Sequence, residues 1–266
     1  MKIPVKCAFA DDFSMNFFTF GSGSENLVIL PGLSVQSVMK SASLIANAYD
    51  IMKDKFTVYV FDRRTELPEK YSVYDMARDT AAVMKKLGLH DVCLFGASQG
   101  GMIAQAIAIE YPGLVKKLAL GSTSSHVDDK QYSIIENWTA LAKKKDKTAL
   151  YLDFGEKIYP PDMFEKFYGM LIFAAENTSD DELARFITIA EGSKDFNVSD
   201  KLCQIKCPIM LTGSYDDKVL GNEPTEKMAD ILRDKPYFRL CMYENYGHAA
   251  FDTAPDYKQK LLDFFI

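Results

Sequence analysis

Residues 96–100 read Gly96-Ala97-Ser98-Gln99-Gly100, a Gly-x-Ser-x-Gly pattern. An apolar run at 92–95 precedes it and a helix-like stretch at 99–110 follows. A serine between a buried strand and a helix sits on a sharp, strained turn and presents its hydroxyl as a nucleophile. Glycine two residues before and after removes side chains that would collide in so tight a turn. The backbone N–H of Gln99 opens the helix beside Ser98. A helix N-terminus carries partial positive charge, which suits a developing oxyanion. Ser98 is therefore the expected nucleophile, and the Gln99 N–H an expected oxyanion donor.

A hydroxyl is a weak nucleophile near neutral pH. It needs a base, and the base needs an orienting carboxylate. Three histidines are available. His90 lies before the strand that leads to Ser98, a strand's length from the serine, and reads as a surface residue. His126 follows the apolar run 118–120, at the correct sheet edge, but precedes the usual position of the base; it reads as a pocket residue or the start of the cap. His248 lies in Tyr246-Gly247-His248-Ala249-Ala250, after the last strand-like run at 237–243. That loop reaches the Ser98 edge, Gly247 lets it bend, and His248 is the expected base. The acid is expected on the loop that follows the run 208–213, at Asp216 or Asp217. The competing use of two such aspartates is local turn chemistry.

These residues need a sheet to hold them. Short apolar runs at 27–30, 56–61, 92–95 and 118–120 alternate with helical patterns at 35–54, 74–87 and 99–110. Such alternation implies a parallel sheet with helices on both faces. Two strands at 3–9 and 15–20, joined by a turn at Asp11-Asp12, precede it. The alternation stops near Ser124. Residues 124–196 read as helical throughout, and strands and helices return at 208–213, 224–233, 237–243 and 256–265. The expected organisation is an α/β core of residues 1–123 and 197–266, with 124–196 inserted as a helical cap. That cap is rich in aromatics and holds Trp138, the single tryptophan. An aromatic cover over the nucleophile suits a small or medium apolar group.

Composition narrows the classes. The chain has 266 residues, 31 Lys+Arg, 37 Asp+Glu and a net charge of −6. That sign opposes nucleic-acid binding through phosphate contacts. A hydrophobic content of 48% excludes global disorder, and the length allows a large core. No run approaches the roughly 20 apolar residues of a membrane helix. The start, Met1-Lys2-Ile3-Pro4-Val5, lacks the pattern of a signal peptide. A soluble, cytoplasmic protein without a membrane partner is expected. The five cysteines read as small buried hydrophobes in a reducing compartment. Cys203 and Cys207 lack the companion ligands of a zinc site. Gly21-Ser22-Gly23-Ser24 lacks the lysine of a phosphate loop. No metal or cofactor is expected, and the expected partner is a small-molecule substrate.

The chain resembles the α/β-hydrolase superfamily. The likeness rests on residues 96–101, on 207–216 (Cys-Pro-Ile-Met-Leu-Thr-Gly-Ser-Tyr-Asp) and on Gly247-His248. It covers nearly the whole chain outside the helical block. The order Ser98, Asp216, His248 is the family's order. The resemblance implies a mostly parallel eight-stranded sheet with the cap inserted after the sixth strand. It places the acid three residues after Gly213, which selects Asp216. It also places a second oxyanion N–H on Leu33, after Gly32. Two departures stand out. Pro31-Gly32 replaces the common His-Gly, although the donor belongs to Leu33. The loop Asp62-Arg63-Arg64-Thr65-Glu66-Leu67-Pro68 lacks the glycines of Asp-x-Arg-Gly-x-Gly. Arg63 and Arg64 read as a solvated or salt-bridged loop, with an acidic substrate as the other use.

The expected chemistry is two-step acyl transfer on a carboxylic ester, lactone or thioester. His248 takes the Ser98 proton, and the N–H groups of Leu33 and Gln99 hold the oxyanion. Gly32, His126 and Trp138 are the expected substrate-facing residues. Carbon–carbon bond hydrolysis, acyl transfer or haloperoxidase-like oxidation on the same fold is the alternative, followed by a non-catalytic small-molecule binder.

Overall fold

The computed structural model describes residues 3–10 and 12–266. Met1, Lys2 and Asp11 lie outside the described residues, and with them half of the expected Asp11-Asp12 turn. Strands β1 (Val5–Ala10) and β2 (Phe13–Phe20) form an antiparallel hairpin with Ala10 opposite Phe13. Strand β3 (Glu25–Leu30) leads through helix α1 (Ala42–Ala48) to β4 (Phe56–Arg64). Helix α2 (Val73–Lys86), β5 (Val92–Ala97), α3 (Gln99–Glu110) and β6 (Val115–Gly121) continue the alternation. Four successive helices follow: α4 (Asp129–Lys143), α5 (Lys147–Ile158), α6 (Pro161–Glu176) and α7 (Asp180–Glu191). The chain then closes with β7 (Ile209–Ser214), α8 (Glu223–Leu232), β8 (Phe238–Tyr243), α9 (Ala250–Thr253) and α10 (Tyr257–Phe265).

The eight strands make one sheet in the order β1-β2-β4-β3-β5-β6-β7-β8. The pairs β1/β2 and β2/β4 are antiparallel, and the remaining pairs are parallel. Successive strand residues face opposite sides of a sheet. Val28 and Leu30 thus enter one core with Leu94, Ile103 and Leu118. Leu27 and Ile29 enter the other with Phe95, Ala119 and Met210. Burial on both faces is why these strands read as unbroken apolar runs. Helix α3 is buried from Gln99 to Ala108, so it is apolar nearly all round. Helix α2 has one buried face and opens on a capping box, in which Ser72 Oγ accepts from Asp75 N–H and the Asp75 carboxylate accepts from Ser72 N–H.

The structure corrects the single helix expected over 35–54. That segment divides into a 3₁₀ turn (Val38–Ser41), α1, and a second 3₁₀ turn (Asp50–Met52). Between Val38 and Met52 its buried positions are Ala42, Ala46, Tyr49 and Met52, spaced four, three and three residues apart. Three-residue spacing matches the tighter 3₁₀ winding. The cysteines also differ from expectation. All five are free and Cys93 is buried, but Cys7 and Cys203 are exposed. Burial pushes the Cys93 thiol up to about 11, so it is no competing nucleophile.

The four helices from α4 to α7 have their own core of Ile135, Trp138, Leu150, Tyr151, Leu183 and Phe186. Val35 and Val219, from loops of the sheet, join it. The block is therefore packed onto the loops that follow β3 and β7.

Candidate active site

Strands β5, β6, β7 and β8 run parallel, so the loops at their carboxyl ends share an edge. The last pairs of the ladder are Ala97 with Gly121, Gly121 with Thr212, and Ser214 with Tyr243. Ser98, Asp217 and His248 lie on the turns that follow β5, β7 and β8.

Ser98 has φ 52° and ψ −123°, a strained conformation for a residue with a side chain, costing about 1–3 kcal/mol. The surroundings hold it there. Its N–H donates to Gly121 O (2.8 Å), and its carbonyl accepts from Thr123 Oγ1 (2.8 Å) and Gly101 N–H (2.8 Å). The neighbouring glycines are steric necessities. A Cβ at Gly96 would overlap Gly100 O, and one at Gly100 would overlap Leu30 O. The Ser98 hydroxyl does not cap α3, so the oxygen is not consumed by the helix.

Gly100→Ala is expected to destabilise the protein by about 1–3 kcal/mol, since its obstacles are backbone carbonyls rather than yielding side chains. A thermal melt reads this as a loss of several degrees in Tm. An unchanged melting temperature would refute the close approach of α3 to the end of β3.

His248 is buried, and its Nδ1 lies 2.8 Å from Asp217 Oδ2. Both side chains are about 3% exposed. The other oxygen of Asp217 accepts from the N–H groups of Val219 (2.8 Å) and Leu220 (2.9 Å). The carboxylate is thereby oriented, and it holds the imidazole with its proton on Nδ1. That tautomer leaves Nε2 free to accept a proton. Gly247, at φ +60°, takes the left-handed conformation that bends the loop into place.

This pairing corrects the choice of Asp216. Asp216 is exposed and accepts from Ser214 Oγ (2.7 Å), Asn245 N–H (3.1 Å) and Gly247 N–H (3.0 Å). It ties the His248 loop to the end of β7 and does not meet the imidazole. Counting three residues from Gly213 lands on Asp216. The turn after Ser214 instead sends the next side chain inward. No local signal separates two adjacent aspartates; the direction of the turn does.

The hydrogen-bond chain of His248 and Asp217 does not extend to the Ser98 hydroxyl among the described residues. Such contacts commonly tighten only when substrate is bound. Neither Leu33 nor Gln99 donates its N–H to another backbone group in the loop and cap network among the described residues. Both amides are thus available to an incoming oxygen. Gly32 sits against the nucleophile: a Cβ there would lie 3.0 Å from Ser98 Cβ and 3.7 Å from Ser98 Oγ.

One substrate-facing expectation falls elsewhere. Trp138 is 3% exposed, donates to Asp153 Oδ2 (2.7 Å) and packs on Phe154 at 4.5 Å between ring centroids. It belongs to the core of the helical block. His126 is half-buried at the root of that block, bridged to Asn197, with Nδ1 3.5 Å from Ser199 Oγ. His90 is exposed beside Asp91.

Arg63 and Arg64 end strand β4 rather than lying in the loop, and the salt-bridged part of the expectation holds for Arg64. Arg64 lies 3.5 Å from the buried Asp79 and over the Phe13 ring. Arg63 is buried, and its guanidinium donates to Pro31 O (2.9 Å) and to Gln99 Oε1 (3.0 Å). Burial pulls its pKa down, with the Asp62 carboxylate acting in the opposite direction. Arg185 of α7 donates to the carbonyls of Arg63, Arg64 and Thr65. These bonds set the path of a loop that lacks the usual glycines.

A strained serine between strand and helix, on a doubly covered eight-stranded sheet with an aspartate–histidine pair on later loops, defines the α/β-hydrolase architecture. Residues 25–149 match the family model described as the alpha/beta hydrolase fold. The chain has the α/β-hydrolase fold, and the curated proteins it is similar to are named as hydrolases.

Among curated proteins it is similar to RutD of Pseudomonas savastanoi pv. phaseolicola, named as a candidate carbamate hydrolase. The identity is 25% over 216 residues, covering 75% of this chain and 77% of that one. It is also similar to 3-oxoadipate enol-lactonase 2 of Acinetobacter baylyi, at 19% over 218 residues, covering 79% and 78%. Among solved structures, the hydrolase MGS-M2 from a Medee basin deep-sea metagenome library superposes with a TM-score of 0.86 at 18% identity, covering 98% of this chain and 97% of that one. No helix among the described residues is long and apolar enough to cross a membrane.

Proposed function

We propose that the protein is a serine hydrolase that cleaves a small or medium carboxylic ester, lactone or thioester through an acyl-enzyme on Ser98. The observation that carries this reading is the buried His248–Asp217 pair, 2.8 Å apart, on the same sheet edge as a serine held at φ 52°. A strained backbone and a dry, oriented imidazole are costly arrangements that suit nucleophilic catalysis. His248 Nε2 removes the Ser98 proton as Oγ attacks the carbonyl carbon. The N–H groups of Leu33 and Gln99 receive the negative charge that moves onto the carbonyl oxygen. The tetrahedral species collapses, the leaving group takes the proton from His248, and an ester to Ser98 remains. Water, deprotonated by the same imidazole, then releases the acid. Asp217 stabilises the imidazolium at each stage. The helices α4 to α7 act as a cap over this edge. A reducing, cytoplasmic setting fits the free cysteines.

The relatives' named substrates widen the assay rather than choose its winner. A panel of activated esters, enol-lactones, thioesters and carbamates covers them. A fluorophosphonate probe with intact-mass detection is the direct test. One adduct per chain, located on Ser98 and abolished in His248→Ala, is the expected result. An unlabelled native protein would overturn the reading and favour a non-catalytic binder.

A further inference from the structure

We propose that Arg63 is a positioning residue for the oxyanion hole, its guanidinium clamping together the two chain segments that supply the hole's N–H donors. The inference rests on the serine-hydrolase reading above. One donor belongs to Leu33, two residues beyond Pro31. The other belongs to Gln99 itself. A single nitrogen of Arg63, Nη2, donates both to Pro31 O (2.9 Å) and to Gln99 Oε1 (3.0 Å). The two segments come from different strands, β3 and β5, and meet where Gly32 touches Ser98.

The rest of the network anchors this clamp. The Gln99 amide nitrogen donates to Ile189 O (2.8 Å) and Ser193 Oγ (2.9 Å). That fixes the amide with its oxygen toward Arg63 and links the elbow to the end of α7. The main chain of Arg63 is held from the same helix by Arg185. Arg63 is 4% exposed, and its guanidinium lacks a carboxylate hydrogen bond among the described residues. Its Nε has no hydrogen-bond partner among the described residues. A desolvated cation held this way is expensive, and its bonds go to the oxyanion segments rather than to an acid. The adjoining cleft, lined by Pro31, Gly32, Asp62, Arg63 and Arg185, has about 20 Å³ of free volume, room for about one water. Arg63 therefore acts on the chain and not on a substrate group.

Oxyanion donors work by being in place where charge develops, and small misplacements are costly. Their loss weakens the transition state more than the bound substrate. The test compares wild type, Arg63→Lys and Arg63→Ala on one activated ester, with active sites counted by fluorophosphonate labelling. The same proteins are titrated with a boronic acid, which forms a tetrahedral adduct on the serine. For Arg63→Ala, kcat per active site is expected to fall about 10- to 100-fold with KM changed less than about threefold. That fall is smaller than the roughly 100- to 1,000-fold for deleting a donor outright. Boronate affinity should weaken by the same factor as kcat/KM. Arg63→Lys should recover part of both, and millimolar guanidinium ion should restore part of the activity of Arg63→Ala. A structural role alone would lower the count of active sites but leave boronate affinity per site intact, and that result overturns the proposal. If Arg63→Ala fails to fold, Arg63→Lys decides: native boronate affinity and kcat in that variant also overturn it. Failure of the wild type to label at Ser98 instead overturns the hydrolase reading itself.

Discussion

Ser98→Ala is expected to lower kcat/KM by about 10⁴- to 10⁶-fold against whichever ester the panel identifies, with little change in thermal stability. In the proposed mechanism the hydroxyl is the atom that forms the covalent bond, and no other side chain replaces it. Cys93, the nearest thiol in sequence, is buried in β5 with its pKa raised to about 11. The residual rate would come from the oxyanion donors and substrate binding alone, so the protein should remain well above the uncatalysed reaction. The oxygen is also free of structural duty, since it does not cap α3. A melting curve matching the wild type, together with loss of turnover and of the fluorophosphonate adduct, completes the expected picture. Retention of more than about a tenth of the native kcat/KM would remove Ser98 from the mechanism, because a nucleophile's loss costs far more.

Asp217→Asn is expected to cost about 10⁴-fold in kcat, against less than about tenfold for Asp216→Asn. The contrast matters more than either value. Asp217 holds the imidazole proton on Nδ1 and faces the imidazolium in a dry site. An amide there favours the other tautomer, and Nε2 then carries a proton when it should accept one. Asp216 is exposed, and its hydrogen bonds go to Ser214, Asn245 and Gly247. Its amide variant loses charge-assisted bonds that steady the His248 loop, worth about 1–3 kcal/mol of stability together. Paired measurements of kcat and Tm separate the two roles. A larger loss of kcat in Asp216→Asn than in Asp217→Asn would restore the family's spacing and displace the geometry.

The outcome at these adjacent aspartates shows where sequence reading stopped. Residues 96–101 are legible because the elbow's requirements are local. Gly96 and Gly100 are demanded by the backbone of the same turn and of the strand end beside it. His248 is legible by elimination, since His90 lies at the opposite end of β5 from Ser98 and His126 precedes the usual position of the base. The parallel sheet is legible because double burial writes apolar runs into β3, β5 and β6. The segment 35–54 misled, because its Ala, Ser and Met content favours a helix while its buried positions follow a tighter winding.

What the sequence by itself determined was the candidate nucleophile, the candidate base, the sheet that carries them and the helical stretch between β6 and β7. Each follows from short-range pattern: a turn that tolerates only glycine, an apolar period, a strand end. What only the tertiary structure decided was which of Asp216 and Asp217 meets His248, that Trp138 is core, and that Arg63 bridges Pro31 to Gln99. Those depend on the direction in which a side chain leaves its loop. Rotation by one residue in a turn exchanges solvent for core without altering composition, spacing or charge, so the choice is made by the packing of segments far apart in the chain.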